Sequence, residues 1–177
     1  MAAMSETELP QTPRDRDATA ARLVEAAMTV LAGQGFAGFG VNAVARAAGC
    51  DKALIYRYFG GVGGLMAAVG AAAGARLADA LAPALAPPPE SYGAMVGRLV
   101  VAYAGHLAAD PLARQLRLME AADPAAAAPY AAARGAVLAD WVAAACGGLA
   151  PPPGADAPAL DAMLIAAVEG AAILGPA

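Results

Sequence analysis

The chain has 177 residues, room for one or two compact modules, and 60% of them are apolar. Alanine supplies much of that fraction while Val, Ile and Thr are scarce, which excludes a sheet-based architecture and predicts an all-α fold packed through small residues. A net charge of −4 excludes indiscriminate attraction to nucleic acid, and two cysteines (Cys50 and Cys146) exclude a disulfide framework or a cysteine-built zinc site.

In chain order, residues 1–13 are polar and acidic. They read as a disordered tail without the basic start and apolar stretch of a signal peptide. A first helix is expected from about Asp17, as N-cap, to Ala32, with Leu23, Ala26, Ala27, Val30 and Leu31 on one buried face. Gly33 and Gly35 end it, and Phe36 and Phe39 are expected to plug the small core that follows. A short helix over residues 41–48 comes next, then a Gly-centred turn and the segment Asp51 to Phe59. Gly60-Gly61-Val62-Gly63-Gly64 reads as a flexible joint leading to a helix from about Leu65 to Leu81.

Pro83 and Pro87-Pro88-Pro89 break the chain there. A helix from about Glu90 to Ala109 follows, with Tyr92, Met95, Val96, Leu99, Val100 and Tyr103 on one face. Asp110-Pro111 and Asp123-Pro124 each predict an N-cap with proline at the first helical position, opening a short helix and then a longer one that ends near Gly147-Gly148. The last helix, about Asp156 to Leu174, carries Leu160, Met163, Leu164, Ala167, Val168 and Ala171 at helical spacing. Two such C-terminal helices, packed together, leave a face open, and a four-helix bundle across a two-fold axis would close it.

The eighteen residues from Tyr58 to Ala75 lack any charged side chain, but six are glycine. Their hydrophobic drive into a bilayer is therefore poor, and a packed helix of a protein with no membrane role is expected. Charge is unevenly spread. Residues 14–65 hold six basic and four acidic groups, whereas residues 66–177 hold five basic and nine acidic ones.

Two short helices joined by a glycine turn, the second dense in cationic and phenolic groups, describe a helix-turn-helix. On the second, Ile55 and Phe59 lie one turn apart and should face inward, while Ala53, Leu54, Tyr56 and Arg57 occupy the outer arc flanked by Lys52 and Tyr58. Asp51 is a suitable N-cap.

These residues resemble the N-terminal DNA-binding domain of TetR family transcriptional regulators. The likeness is carried by Leu23 to Leu31, Gly35-Phe36, Val44-Ala45, Ala48-Gly49, Ile55-Tyr56-Arg57-Tyr58-Phe59 and Leu65. It implies a three-helix helix-turn-helix DNA-binding domain (14–64) and a C-terminal helical ligand-binding and dimerisation domain (65–177). It further implies a cytoplasmic homodimer that binds a palindromic operator in double-stranded DNA and releases it when a small-molecule effector enters the C-terminal domain.

By position, Lys52, Ala53, Leu54 and Tyr56 look like the groove-reading residues, and Arg57 and Tyr58 look like phosphate contacts. Asn42 and Arg46 of the preceding helix complete the candidate DNA surface, since Asn can pair bidentately with adenine. Three positions depart from the family's pattern. Gly40 stands where a hydroxyl commonly caps the second helix and touches phosphate, Asp51 where a serine opens the recognition helix, and Val62-Gly63 where a lysine anchors the next helix to the backbone. Arg14, Arg16 and Arg46 are the cations left to supply flanking contacts.

Gly33-Gln34-Gly35-Phe36-Ala37-Gly38 matches the G-x-G-x-x-G spacing of dinucleotide sites, but that motif needs a preceding strand, and a helix precedes it here. No cofactor is expected. His106, Arg117, Glu120, Tyr103 and Trp141 are expected to face the C-terminal interior. One His without a spaced nucleophile or metal partner predicts neither catalysis nor a metal site. Met95, Leu99, Tyr103, His106, Met119 and Trp141 are the candidate effector-binding residues, and the sparse charge predicts an apolar or amphipathic ligand. The expectation is a ligand-responsive repressor. The alternative is a ligand-binding or interaction module of the same shape with weak or lost operator binding.

Overall fold

The computed structural model describes residues 13–174, and every regular element among them is helical. Helix α1 (Pro13–Gln34) begins earlier than its sequence suggested, so Asp17 lies inside it rather than capping it. Residues 1–12 of the expected tail lie outside the described residues. The expected face of α1, Leu23, Ala26, Ala27, Val30 and Leu31, is buried. Gly35, with φ of 67°, turns the chain into a 3-10 turn at Phe36–Gly38. Phe39 packs against the core, whereas Phe36 opens that turn on the outer side and remains exposed, contrary to expectation.

Helix α2 (Val41–Ala48) ends at Gly49, whose left-handed φ of 62° lets its N–H reach back to the helix carbonyls. Helix α3 (Ala53–Phe59) follows within four residues. Helix α4 (Val62–Leu81) starts three residues before the expected Leu65. The glycine run is therefore a tight turn rather than a joint. Gly60 caps α3 at φ 71°, Gly61 reverses the chain at φ 125°, and Gly63 and Gly64 are already helical.

After a 3-10 turn (Ala82–Leu85) come α5 (Tyr92–Ala109), α6 (Pro111–Ala122), α7 (Pro124–Cys146) and α8 (Ala157–Leu174). Helix α5 starts after Ser91, whose hydroxyl accepts from the Ala94 N–H at 3.2 Å. Both Asp-Pro caps form as expected. The Asp110 carboxylate accepts from Leu112 N–H at 2.9 Å, and that of Asp123 from Ala126 N–H at 3.0 Å.

Helices α4 and α7 make the most extensive contact. A Cβ at Gly70 would stand 2.9 Å from the Pro129 carbonyl carbon and the Tyr130 nitrogen, so only glycine permits this backbone approach. By length and composition α4 could cross a membrane, yet 44% of its apolar window is buried inside the protein. Two buried clusters result. One joins α1–α3 to the start of α4, to Leu112, Leu116 and Met119 of α6, and to Tyr130 of α7. The other gathers Leu77, Leu81, Tyr92, Met95, Leu99, Tyr103, Leu138 and Trp141.

Helix α8 packs chiefly on α5, and next on α6, rather than on α7 as expected. Two tyrosines of α5 draw it there: Tyr92 donates to Asp161 at 2.7 Å and Tyr103 to Glu169 at 2.8 Å. Leu160, Leu164 and Val168 are half-buried against the body, while Met163, Ala167 and Ala171 face outward, Met163 with 70% exposure.

Candidate nucleic-acid interface

The candidate DNA residues sit on one outer surface built by α2 and α3. Ile55 is fully buried beneath it and Phe59 half-buried, which fixes the rotation of α3. Lys52, Ala53, Tyr56 and Arg57 are exposed, as are Asn42 and Arg46 on α2. Leu54 and Tyr58 lie partly against the core, so each presents only one side outward. Asn42, Arg46, Lys52 and Tyr56 come together around an open cleft of about 590 Å³, whose walls continue through Gln34 and residues 38–41. Those lining residues include two cations and no carboxylate.

Asp51 is occupied: its carboxylate accepts the Ala53 N–H at 2.7 Å and caps α3. The carboxylate keeps its negative charge, which the helix N-terminus offsets only in part. Gly40 precedes α2 with extended backbone (φ 175°, ψ 167°) and offers no side-chain cap, and Val62 at the start of α4 is exposed.

The candidate effector residues do not share one lining. Met95, Leu99 and Tyr103 stack along α5 within the second cluster together with Trp141, whose indole N–H donates to the Leu81 carbonyl at 2.9 Å. Met119 belongs to the first cluster, on the other side of α6. An apolar cleft of about 220 Å³ reaches Trp141 past Leu81, Leu85 and Val137. His106 lies at the edge of a separate depression with Arg76, Asp79 and Asp110. Burial holds its imidazole below the usual histidine range, with Asp110 opposing and Arg76 reinforcing the shift. Among the described residues no cluster of three or more His, Cys, Asp or Glu could hold a metal ion.

The interior of the C-terminal helices holds a charged network that sequence reading saw only in part. Arg117 and Glu120 of α6 were expected to face inward; Arg134 of α7 and Glu169 of α8 were not recognised. Glu169 pairs with Arg117 at 2.8 Å and with Arg134 at 3.1 Å, and both arginines also engage Glu120. Burial and the Glu169 carboxylate together push the Tyr103 hydroxyl up, so it stays a donor. The missed signal was isolation: Arg134 is the sole cation of its helix, set among alanines, and a lone charge on an apolar helix needs a partner.

Residues 23–74 match the sequence model of the family described as "Bacterial regulatory proteins, tetR family". The HTH-type transcriptional repressor SCO4008 of Streptomyces coelicolor is 45% identical over 56 residues, which are 32% of this chain and 29% of that protein. The chain therefore matches less than a third of that relative's length. Among solved structures, the multidrug binding protein EbrR complexed with imidazole superposes with a TM-score of 0.59 at 26% identity, covering 84% of this chain and 81% of that one. The transcriptional regulator FadR from Bacillus subtilis, in complex with stearoyl-CoA, gives 0.57 at 15% identity over 87% and 85%, a likeness of fold alone. Residues 23–74 are thus similar to the helix-turn-helix of the tetR family of bacterial regulatory proteins, and the helical frame that carries them is similar to that of EbrR.

Proposed function

We propose that the protein is a cytoplasmic repressor that binds a palindromic operator as a homodimer and leaves it when a small apolar or amphipathic effector enters the C-terminal helices. The observation that carries this reading is the cleft in which Asn42, Arg46, Lys52 and Tyr56 converge without a carboxylate in its lining. Base contacts specify sequence and cations supply affinity, and both kinds of group are present there. The outward Met163 face of α8 supports the two-fold pairing, since an exposed apolar strip on a terminal helix is closed by a second copy. EbrR is described as a multidrug binding protein, which supports a small-molecule effector for this chain.

The test is binding to DNA flanking the protein's own gene, titrated with salt. The wild type should bind one site selectively with a steep salt dependence, and Tyr56→Ala and Lys52→Ala should each weaken it by about tenfold or more. Equal binding to all sequences, or none, would remove the repressor reading.

Uncapped Gly40 favours the second reading, a module of this shape with weakened operator binding. It also makes a gain of function available. Its backbone suits any residue and a Cβ there meets nothing within 4 Å. Gly40→Ser should leave stability equal or higher by a few tenths of a kcal/mol. One added hydroxyl contact should tighten DNA binding by roughly 2- to 10-fold. Fluorescence anisotropy against the same operator measures it, and unchanged affinity would mean that no phosphate passes the start of α2.

A further inference from the structure

The operator surface as described has cations on one flank of α3, where Arg46 and Lys52 line the cleft shared with α2. Positions 56 and 58 are about 200° apart around a helix, so Tyr58 marks the opposite flank from Tyr56. Two guanidinium groups gather on its ring there: Arg16 lies 5.8 Å from the ring centroid and Arg57 5.9 Å. Both distances fall within cation–π range. Tyr58 is itself packed against the first core cluster, so the ring is a fixed surface. Arg16 comes from another element entirely, the first turn of α1, and it is exposed. The extension of α1 back to Pro13 is what brings it there.

We propose that Arg16, seated on the face of Tyr58, is a DNA phosphate contact that clamps the second flank of the recognition helix, with Tyr58 as its positioning residue. A long side chain free in water loses rotamer freedom on gripping a phosphate, and stacking on a fixed ring removes part of that cost beforehand. The contact stands in for the groups absent at Gly40 and Val62. Bracketed by Arg46 and Lys52 on one side and by Arg16 and Arg57 on the other, α3 meets both phosphate rows that border a groove. This inference rests on the operator-binding reading.

The experiment is the salt dependence of DNA affinity for the full chain, compared among wild type, Arg16→Gln, Tyr58→Phe, Tyr58→Leu and the double variant Arg16→Gln/Tyr58→Leu, with thermal melts recorded for each. Arg16→Gln should flatten the log–log slope by about 1, equally on operator and on unrelated DNA. Tyr58→Phe keeps the ring, and a lost hydroxyl contact releases no counterion, so its slope should equal the wild type's. Tyr58→Leu should flatten the slope at least as much as Arg16→Gln does, since Arg57 rests on the same ring, and the double variant should go no further than Tyr58→Leu, because Arg16 then has no seat left to lose. An unchanged slope in Arg16→Gln, when the wild type binds, overturns this inference alone. Additive losses in the double variant overturn the seating role of Tyr58. No salt-dependent binding by the wild type overturns the operator reading and this inference with it.

Discussion

Glu169→Ala is expected to destabilise the folded chain by about 3–5 kcal/mol, the cost of stranding a buried charge whose partner is removed. The carboxylate is the most deeply placed charge among the described residues, with 9% of its side chain exposed, and it serves three donors at once: Tyr103, Arg117 and Arg134. Without it two guanidiniums, each about nine-tenths buried, would face Glu120 alone, and the Tyr103 hydroxyl would lose its acceptor. Among the described side chains of α8 Glu169 is the one that is buried, so the helix would keep only half-buried aliphatic contacts and its bond from Tyr92 to Asp161. Urea denaturation measures the loss, and dimer content in the same samples should fall with it. A loss below about 1 kcal/mol would mean that water screens the network as it does a surface pair.

The same network sets an acid limit. Burial alone would raise the Glu120 carboxyl, but hydrogen bonds and charge from Arg134 and then Arg117 outweigh it and hold the group below its ordinary value. A depressed folded value means that its stabilisation is complete above the unfolded carboxylate range and disappears as pH falls through the lower folded one. Stability should therefore hold at mildly acidic pH and decline only below it.

How much of this was legible follows from what each signal requires. The Asp-Pro caps, the buried stripe of α1 and the inward pair Ile55 and Phe59 depend on neighbours within a few residues, and the structure has them as read. The partner of α8 was misread because Ala-rich helices present similar faces in several directions, and two tyrosines far away in sequence decide between them. Glu169 and Arg134 went unnoticed for the same reason: a charge on an apolar helix announces a partner without naming it. In the candidate DNA surface the exposed cations and Tyr56 were readable from helical phase. Arg16 against Tyr58 was not, because the contact depends on where α1 begins.

The junction between α3 and α4 yields the prediction with the sharpest contrast. A Cβ at Gly64 would overlap the Phe59 carbonyl oxygen outright and lie 2.9 Å from its carbonyl carbon. At the adjoining Gly63 the same atom would meet nothing within 4 Å. Both residues lie in the first turn of α4, so helix propensity favours alanine at each by up to about 1 kcal/mol. Gly63→Ala should accordingly be neutral or slightly stabilising. Gly64→Ala should cost about 1–3 kcal/mol, because the obstacle is backbone and cannot move aside by changing rotamer. The overlap is relieved only by shifting the end of α3 against the start of α4, and that shift would carry Tyr56, Arg57 and Tyr58 with it. Operator affinity in Gly64→Ala should therefore fall further than stability explains, under conditions where the variant remains folded. Gly63→Ala should bind as the wild type does. Equal behaviour of the two variants would mean that α3 and α4 are not rigidly joined, and that an effector acting through α4 could not reorient the recognition helix by this route.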